Sequence, residues 1–352
     1  MKIGMPMAYA GGFKQTVEEL REYEDVGLDV VLLPEAYTFD AVSQLGYVAA
    51  RTSTLQLASS ILNIYSRTPT LLAMTAAGLD YVSDSRFVLG LGASGPQVVE
   101  GFHGVKYDAP LGRTREVVEI CRQTWRREKV DAHGKYYDIP LTPERGGSGL
   151  GKPLKLINTP LRPDIPIVLA ALGPKNVELA AELCEGWEPI FYLPYRAEEA
   201  FGEALAAGRA KRSPDLAALD ITVETKVLVS EDADEVAAAV QAVRNHLALY
   251  VGGMGAKGKN FYNDLAVRFG FADAAATVQD LFLSGHKAEA AAAVPEELVH
   301  GTALIGSAGW VAERVAAFDA AGVTTLNATP LASTHQARVQ AISTLKGCVT
   351  DV

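Results

Sequence analysis

Short apolar runs alternate with amphipathic stretches along almost the whole of this chain, and that alternation limits the possible architecture more than any other feature. The strand candidates are Lys2–Met5, Asp29–Leu33, Leu55–Ile61, Phe87–Gly92, Ile165–Ala171, Glu188–Tyr192, Ile221–Val229 and Thr324–Thr329. Between them apolar residues recur at helical spacing, as in Thr16–Val26, Val42–Arg51, Leu71–Val82 and Arg115–Arg126. Strand, helix, strand in repetition builds a parallel sheet with helices outside it. Eight strands predict closure into a barrel, so the expected class is α/β, a (β/α)8 TIM barrel, rather than a doubly wound sheet.

Two segments break the rhythm. Residues 130–162 are rich in Gly, Pro and Tyr, and residues 252–302 are rich in Ala with helical spacing. Long irregular segments in such a fold are usually lids or binding loops, so both are expected as insertions near the mouth of the barrel. No linker divides the chain and no repeat of fixed period appears, so one domain over 1–352 is expected.

A net charge of -10 and a pI near 5.2 argue against nucleic acid or an anionic membrane as partner, since either calls for a basic face. A small anionic molecule stays possible, because a few amides and one Lys suffice to hold it. Cys121, Cys184 and Cys348 lie far apart, and neither they nor the six histidines show metal-ligand spacing. The chain opens directly on a strand at Met1-Lys2-Ile3-Gly4, without the profile of a signal peptide. No apolar run reaches the roughly 18 residues that suggest a membrane span. A soluble cytoplasmic protein is expected.

The carboxyl ends of the strands are where a barrel of this kind keeps its chemistry. After Leu55–Ile61 the chain does not turn but runs through Ser59, Ser60, Ile61, Leu62 and Asn63 to a helix opened by Pro69. Small residues there leave space in which a flat ring could lie against the backbone. Gly90-Leu91-Gly92-Ala93-Ser94-Gly95 has the spacing of a dinucleotide fingerprint, but that fingerprint needs a helix opening within it. Here the chain is expected to continue irregularly through Pro96, Gly101 and Gly104 to Pro110. A glycine-lined rim that lets backbone approach a ligand is the better reading, with a plain flexible loop as the alternative.

Ala170-Ala171-Leu172-Gly173-Pro174-Lys175-Asn176-Val177 reads as a strand end, a turn and a helix start, with Pro in the first turn. The amides and dipole of such a helix start form a natural anion site, and Lys175 adds charge. The plain alternative is a well-formed helix without a ligand. Glu35 ends the second strand, where it can accept a ring hydrogen bond, move a proton, or simply pair with an Arg or Lys. His103, in a glycine-flanked loop, is a candidate proton donor or substrate contact, or merely an exposed histidine. Arg67 is a candidate for an anion or for a helix cap. No nucleophile triad pattern and no GxSxG occurs. Tyr136, Tyr137, Phe191, Tyr192, Tyr195, Phe261 and Tyr262 either line an apolar cleft or fill the core.

Taken in order, these runs resemble the luciferase-like superfamily of flavin and deazaflavin oxidoreductases over nearly the whole chain. The run Ser60-Ile61-Leu62-Asn63-Ile64-Tyr65-Ser66-Arg67-Thr68-Pro69 is similar to that of the methylene-tetrahydromethanopterin reductases, which use coenzyme F420. Ala321-Gly322-Val323-Thr324-Thr325-Leu326-Asn327-Ala328-Thr329-Pro330 is similar to the family's final strand. The resemblance implies a luciferase-like (β/α)8 barrel and a non-prolyl cis peptide at Ser60–Ile61 behind the deazaflavin ring. It places Ser60, Ile61, Asn63, Gly92, Ala93, Ser94 and Glu35 around the cofactor. It gives Ala171, Gly173, Pro174, Lys175, Asn176 and Val177 to its phosphate, leaving Glu35 and His103 as catalytic candidates. The sugar-phosphate dehydrogenases of the family carry a His beside the second-strand acid. Here that place is Ala36, which argues against their acid–base scheme.

The activity implied is hydride transfer between F420 and a fairly apolar small-molecule substrate, by a homodimer. One alternative is an FMN-dependent monooxygenase served by a flavin reductase. Another is a barrel that binds flavin or deazaflavin without turnover.

Overall fold

Val30-Val31-Leu32-Leu33 is apolar at every position because both faces of the strand are covered. Val31 and Leu33 join the main core, while Val30 and Leu32 meet Ala58 and Val88 in a separate small cluster. That pattern belongs to a parallel strand in a closed sheet. The computed structural model, which describes residues 1–8 and 11–350, has this sheet as a barrel.

In chain order the barrel elements are β1 (Lys2–Pro6), α1 (Phe13–Asp25), β2 (Val30–Leu33), α2 (Ala41–Ala49), β3 (Gln56–Ser59), α3 (Pro69–Val82), β4 (Phe87–Gly92) and α4 (Pro110–Trp125). They continue as β5 (Ile167–Ala170), α5 (Pro174–Leu183), β6 (Gly186–Glu188), α6 (Ala197–Arg209), β7 (Asp220–Val229), α7 (Ala233–Ala248), α8 (Ala308–Ala320), β8 (Thr325–Pro330) and α9 (His335–Thr350). Each strand pairs in parallel with the next, β8 returns to β1 at Thr325 opposite Lys2, and β7 meets β6 at Asp220 opposite Gly186. The ring is closed, as expected. Its helices start where local chemistry dictates: the side chains of Asp40, Thr68, Asp232 and Ser307 accept from first-turn amides of α2, α3, α7 and α8.

Three local readings change. β6 covers Gly186–Glu188 instead of Glu188–Tyr192, because Pro189 has no N–H to donate and Phe191 takes a left-handed φ of 57°. β3 stops at Ser59, before the Ser60–Ile61 peptide, which is cis, and Leu62–Asn63 then pairs with Leu91 and Gly92. Gly95 leads straight into a one-turn helix, Pro96–Val99, where an irregular path to Pro110 was expected.

The segment 130–162 carries only a two-residue hairpin (Ala132–His133 with Asp138–Ile139) and one 3-10 turn. The segment 252–302 is helical at Phe261–Arg268, Ala272–Leu283, Lys287–Ala292 and Glu296–Gly301, and Ala303–Gly306 after it pairs with the end of β7.

Candidate active site

Side chains on a strand alternate between the two faces, so the register fixes which residues enter the barrel. Ala170 lies opposite Glu188, and Asn327 lies opposite both Gly4 and Glu224. Lys226 faces Thr329 across the same pair of strands. These registers bring Glu188, Glu224, Lys226 and Asn327 to the ends of neighbouring strands. Their alternates, such as Trp187, Ile221 and Val223, are buried in the main core.

The end of β3 forms one wall of this mouth. Ser59 Oγ donates to the carbonyl of Gly90 and accepts from its N–H, both at 2.9 Å. A Cβ on Gly90 would lie 1.8 Å from the Ser59 carbonyl oxygen, and one on Gly92 would lie 2.9 Å from the Ile61 side chain. The glycines at 90 and 92 thus make room for the chain's own segment 59–61, where a close approach to a ligand was expected. Space is open further along: nothing lies within 4 Å of a Cβ added at Gly95 or at Gly173. Ser94 next to it has φ 54°. Asn63 is buried, and its Oδ1 accepts from the Tyr65 N–H at 2.9 Å while its Nδ2 has no partner.

The start of α5 comes next, after β5, the neighbour of β4 in the ring. Gly173 is the cap residue, Pro174 stands in the first turn, and no side chain caps the helix. The N–H groups of Asn176 and Val177 turn back to the Gly173 carbonyl, and buried Oδ1 of Asn176 is unpartnered. Trp187 Nε1 donates to the Ala171 carbonyl at 2.9 Å, fixing the strand end before the turn. Lys175 does not turn toward the mouth: it is exposed and pairs with Glu178 at 2.8 Å. Lys175 and Lys211 together hold Glu178 down at about 2. The cation that touches this loop is Arg268, which donates to the Leu172 carbonyl at 2.7 Å and to that of Ala200 at 3.1 Å, with its guanidinium over Phe201. Burial pushes the Arg268 pKa down, as expected for a guanidinium with little solvent.

Glu35 takes the plainest of its expected roles. Both of its oxygens are held by Arg67, at 2.6 and 2.9 Å, and Oε2 also accepts the Ala41 N–H that opens α2. Arg67 reaches Asp40 as well, at 2.8 Å, and these partners raise its pKa, the Glu35 hydrogen bond foremost. With its lone pairs so engaged, Glu35 is a clip between β2 and the segment after β3. His103 follows the one-turn helix, its N–H bonded to Val98 and its ring edge-on to Phe102 at 5.3 Å. Phe102 in turn meets Tyr37, so the loops after β4 and β2 touch.

The acidic centre of the mouth was missed. Ser60 Oγ donates to Glu188 Oε1 at 2.6 Å, reaching from β3 across the ends of β4 and β5. Desolvation raises the Glu188 carboxyl to about 7, helped by the charge of Glu224 and opposed by the Ser60 bond. Glu224 is paired with Lys226 at 2.7 Å, and Lys226 also reaches Thr329 Oγ1 at 3.3 Å. Over this pair stand His246, Tyr250, Tyr262 and Phe191, with ring centroids 4.7 to 6.2 Å apart. Burial lowers His246, and Lys226 adds to that shift. The signal for this centre was two charges at i and i+2, hence on one face of a strand, in Thr222-Val223-Glu224-Thr225-Lys226. Cys121 and Cys184 are fully buried, and burial pushes both thiols up to about 12.

The strand ends thus present the segment 59–63, open space at Gly95 and Gly173, and two buried side-chain atoms without partners, Asn63 Nδ2 and Asn176 Oδ1. Glu188 supplies a group able to exchange a proton near neutral pH.

Comparison with known proteins follows the same lines. Residues 2–325 match the family described as luciferase-like monooxygenase. A protein of Mycobacterium tuberculosis with the provisional name coenzyme F420-dependent oxidoreductase is 44% identical over 330 residues, covering 92% of this chain and 93% of that one. The 5,10-methylenetetrahydromethanopterin reductase of Archaeoglobus fulgidus is 30% identical over 308 residues, covering 86% and 85%. Among solved structures, the coenzyme F420 dependent tetrahydromethanopterin reductase from Methanopyrus kandleri superposes with a TM-score of 0.78 at 20% identity, covering 97% of each chain.

Proposed function

The chain belongs to the luciferase-like monooxygenase family, and from that premise we propose that it is an F420-dependent oxidoreductase. It transfers hydride between the deazaflavin coenzyme F420 and a fairly apolar organic substrate. The structural observation that carries this reading is a pair of buried, unpartnered side-chain atoms, Asn63 Nδ2 just after β3 and Asn176 Oδ1 in the first turn of α5. Buried polar groups are normally satisfied, so two such orphans near neighbouring strand ends point to a ligand.

When bound, the deazaflavin supplies two-electron hydride chemistry. Ser60, Ile61 and Asn63 would back the ring, with Gly92, Ala93 and Ser94 beside it. Ala171, Gly173 and the helix start Pro174–Val177 would take the phosphate, where the dipole of α5 favours negative charge. Lys175, turned outward to Glu178, contributes at longer range, and Arg268 holds the loop from behind. Glu35 orders the site through Arg67, and His103 stands on the loop that would cover it. The wall of Phe191, Tyr250 and Tyr262 supports an apolar substrate.

A homodimer in the cytoplasm completes the reading. Leu71, Met74, Tyr81 and Val82 lie exposed at helical spacing on α3, an apolar face suited to a second copy.

Fluorescence titration of the purified protein with F420 and, separately, with FMN tests the cofactor. F420 is expected to bind and FMN to bind far more weakly; tight binding of FMN alone would overturn the assignment.

A further inference from the structure

Glu188 and Glu224 are two carboxyl groups in one barrel mouth, and their partners differ. Glu224 has an ammonium, Lys226 Nζ, at 2.7 Å. Among the described residues Glu188 pairs with no cation, and its hydrogen bond comes from a hydroxyl, Ser60 Oγ at 2.6 Å. A hydroxyl both donates and accepts, so that contact survives either protonation state of Glu188. When two acids share a partly buried site, the one without a counter-ion takes the first proton. The charge acting on Glu188 is that of Glu224, which disfavours a second carboxylate beside it. β7 contributes Glu224 and Lys226, α7 contributes His246 beside that pair, and the residue opposite on β5 is the neutral Ala170. Burial and Glu224 place the Glu188 carboxyl at about 7, where it can both give and take a proton.

We propose that Glu188 is the proton-transfer residue of this mouth, entering the reduction of a carbonyl as a neutral acid and leaving it as a carboxylate, while Glu224 stays paired with Lys226. The proposal rests on the hydride-transfer reading above. The O–H bond of Glu188 breaks as an O–H bond forms on the substrate oxygen. Hydride, with its two electrons, comes from the reduced deazaflavin and adds to the carbonyl carbon. The carbonyl π pair moves onto the oxygen and takes up the proton. Oxidation of an alcohol runs the same transfers backwards.

Infrared spectra of the cofactor-free protein from about pH 5 to about pH 9 read this proton without any cofactor. The expected result is a protonated-carboxyl band that fades in the wild type with a midpoint near 7, is missing from Glu188→Gln, and persists in Glu224→Gln. A wild type without the band, or a Glu188→Gln protein that keeps it, overturns the proposal.

F420 titration forms the second arm. A ring over the mouth removes more water from Glu188 and so prefers its neutral form. The dissociation constant of the wild type should therefore rise above neutral pH, by up to about tenfold per pH unit. The slope should be smaller in Glu188→Gln, and equal slopes in the two proteins overturn the proposal. Failure of the wild type to bind F420 while the band is present overturns the cofactor reading instead, so the two failures are distinguishable.

Discussion

At the scale of single residues, charge partners decide roles that residue type leaves open. Glu35 and Glu188 both end barrel strands, yet one is locked to a guanidinium and the other touches a hydroxyl. Glu35→Gln should therefore act on stability first. Arg67 and Glu35 are only 13% and 11% exposed, and stranding one partner of such a pair costs roughly 3–5 kcal/mol when fully buried. A loss of about 2 kcal/mol or more in urea unfolding is expected, and an unchanged midpoint would count against the clip. Glu188→Gln should do the opposite at alkaline pH. The folded protein holds the Glu188 proton up to about 7, while the unfolded chain releases it near the ordinary glutamate value of 4.5. Between those values the native state binds more protons, so wild-type stability falls as pH rises through this window. Above it Glu188→Gln should exceed the wild type by roughly 1–3 kcal/mol, with the difference vanishing below about pH 4.5. Urea unfolding at several pH values measures both slopes. Glu35 was legible as a strand-end acid because its place follows from periodicity. Glu188 was not, because its meaning depends on Ser60, which lies 128 positions away in sequence.

At the scale of elements, most boundaries were readable, since apolar periodicity ends where burial ends. The exceptions lie at local backbone features. Pro189 and the left-handed Phe191 end β6 early, and β3 ends just before the cis Ser60–Ile61 peptide. The glycines of β4 were legible as a place of close approach, but what approaches is invisible without the third dimension. Gly90→Ala pushes a methyl group into the Ser59 carbonyl, which can yield only by moving the end of β3. Forced overpacking typically costs about 1–3 kcal/mol, and here it also displaces the wall assigned to the ring. Thermal unfolding and F420 titration should both report a loss. A Gly95→Ala protein, where the added Cβ meets open space, should unfold like the wild type.

At the scale of the whole molecule, closure of the sheet removes the edges of the eight barrel strands, so association must use elements outside the ring. The exposed apolar face of α3 is the candidate, together with the exposed Tyr37 and Phe39. Sedimentation should find a dimer, and Met74→Glu with Tyr81→Glu should give a folded monomer; a wild-type monomer at micromolar concentration would rule this face out. Arg268 carries a further consequence. It belongs to a helix of the 252–302 segment, yet it grips the Leu172 carbonyl just ahead of the α5 turn. The segment is thus a keystone for the anion loop as well as a cover for the aromatic wall. Anyone grafting a relative's version of that segment to change substrate range must bring along a guanidinium able to reach the same carbonyl, or the barrel will arrive with its cofactor seat already loosened.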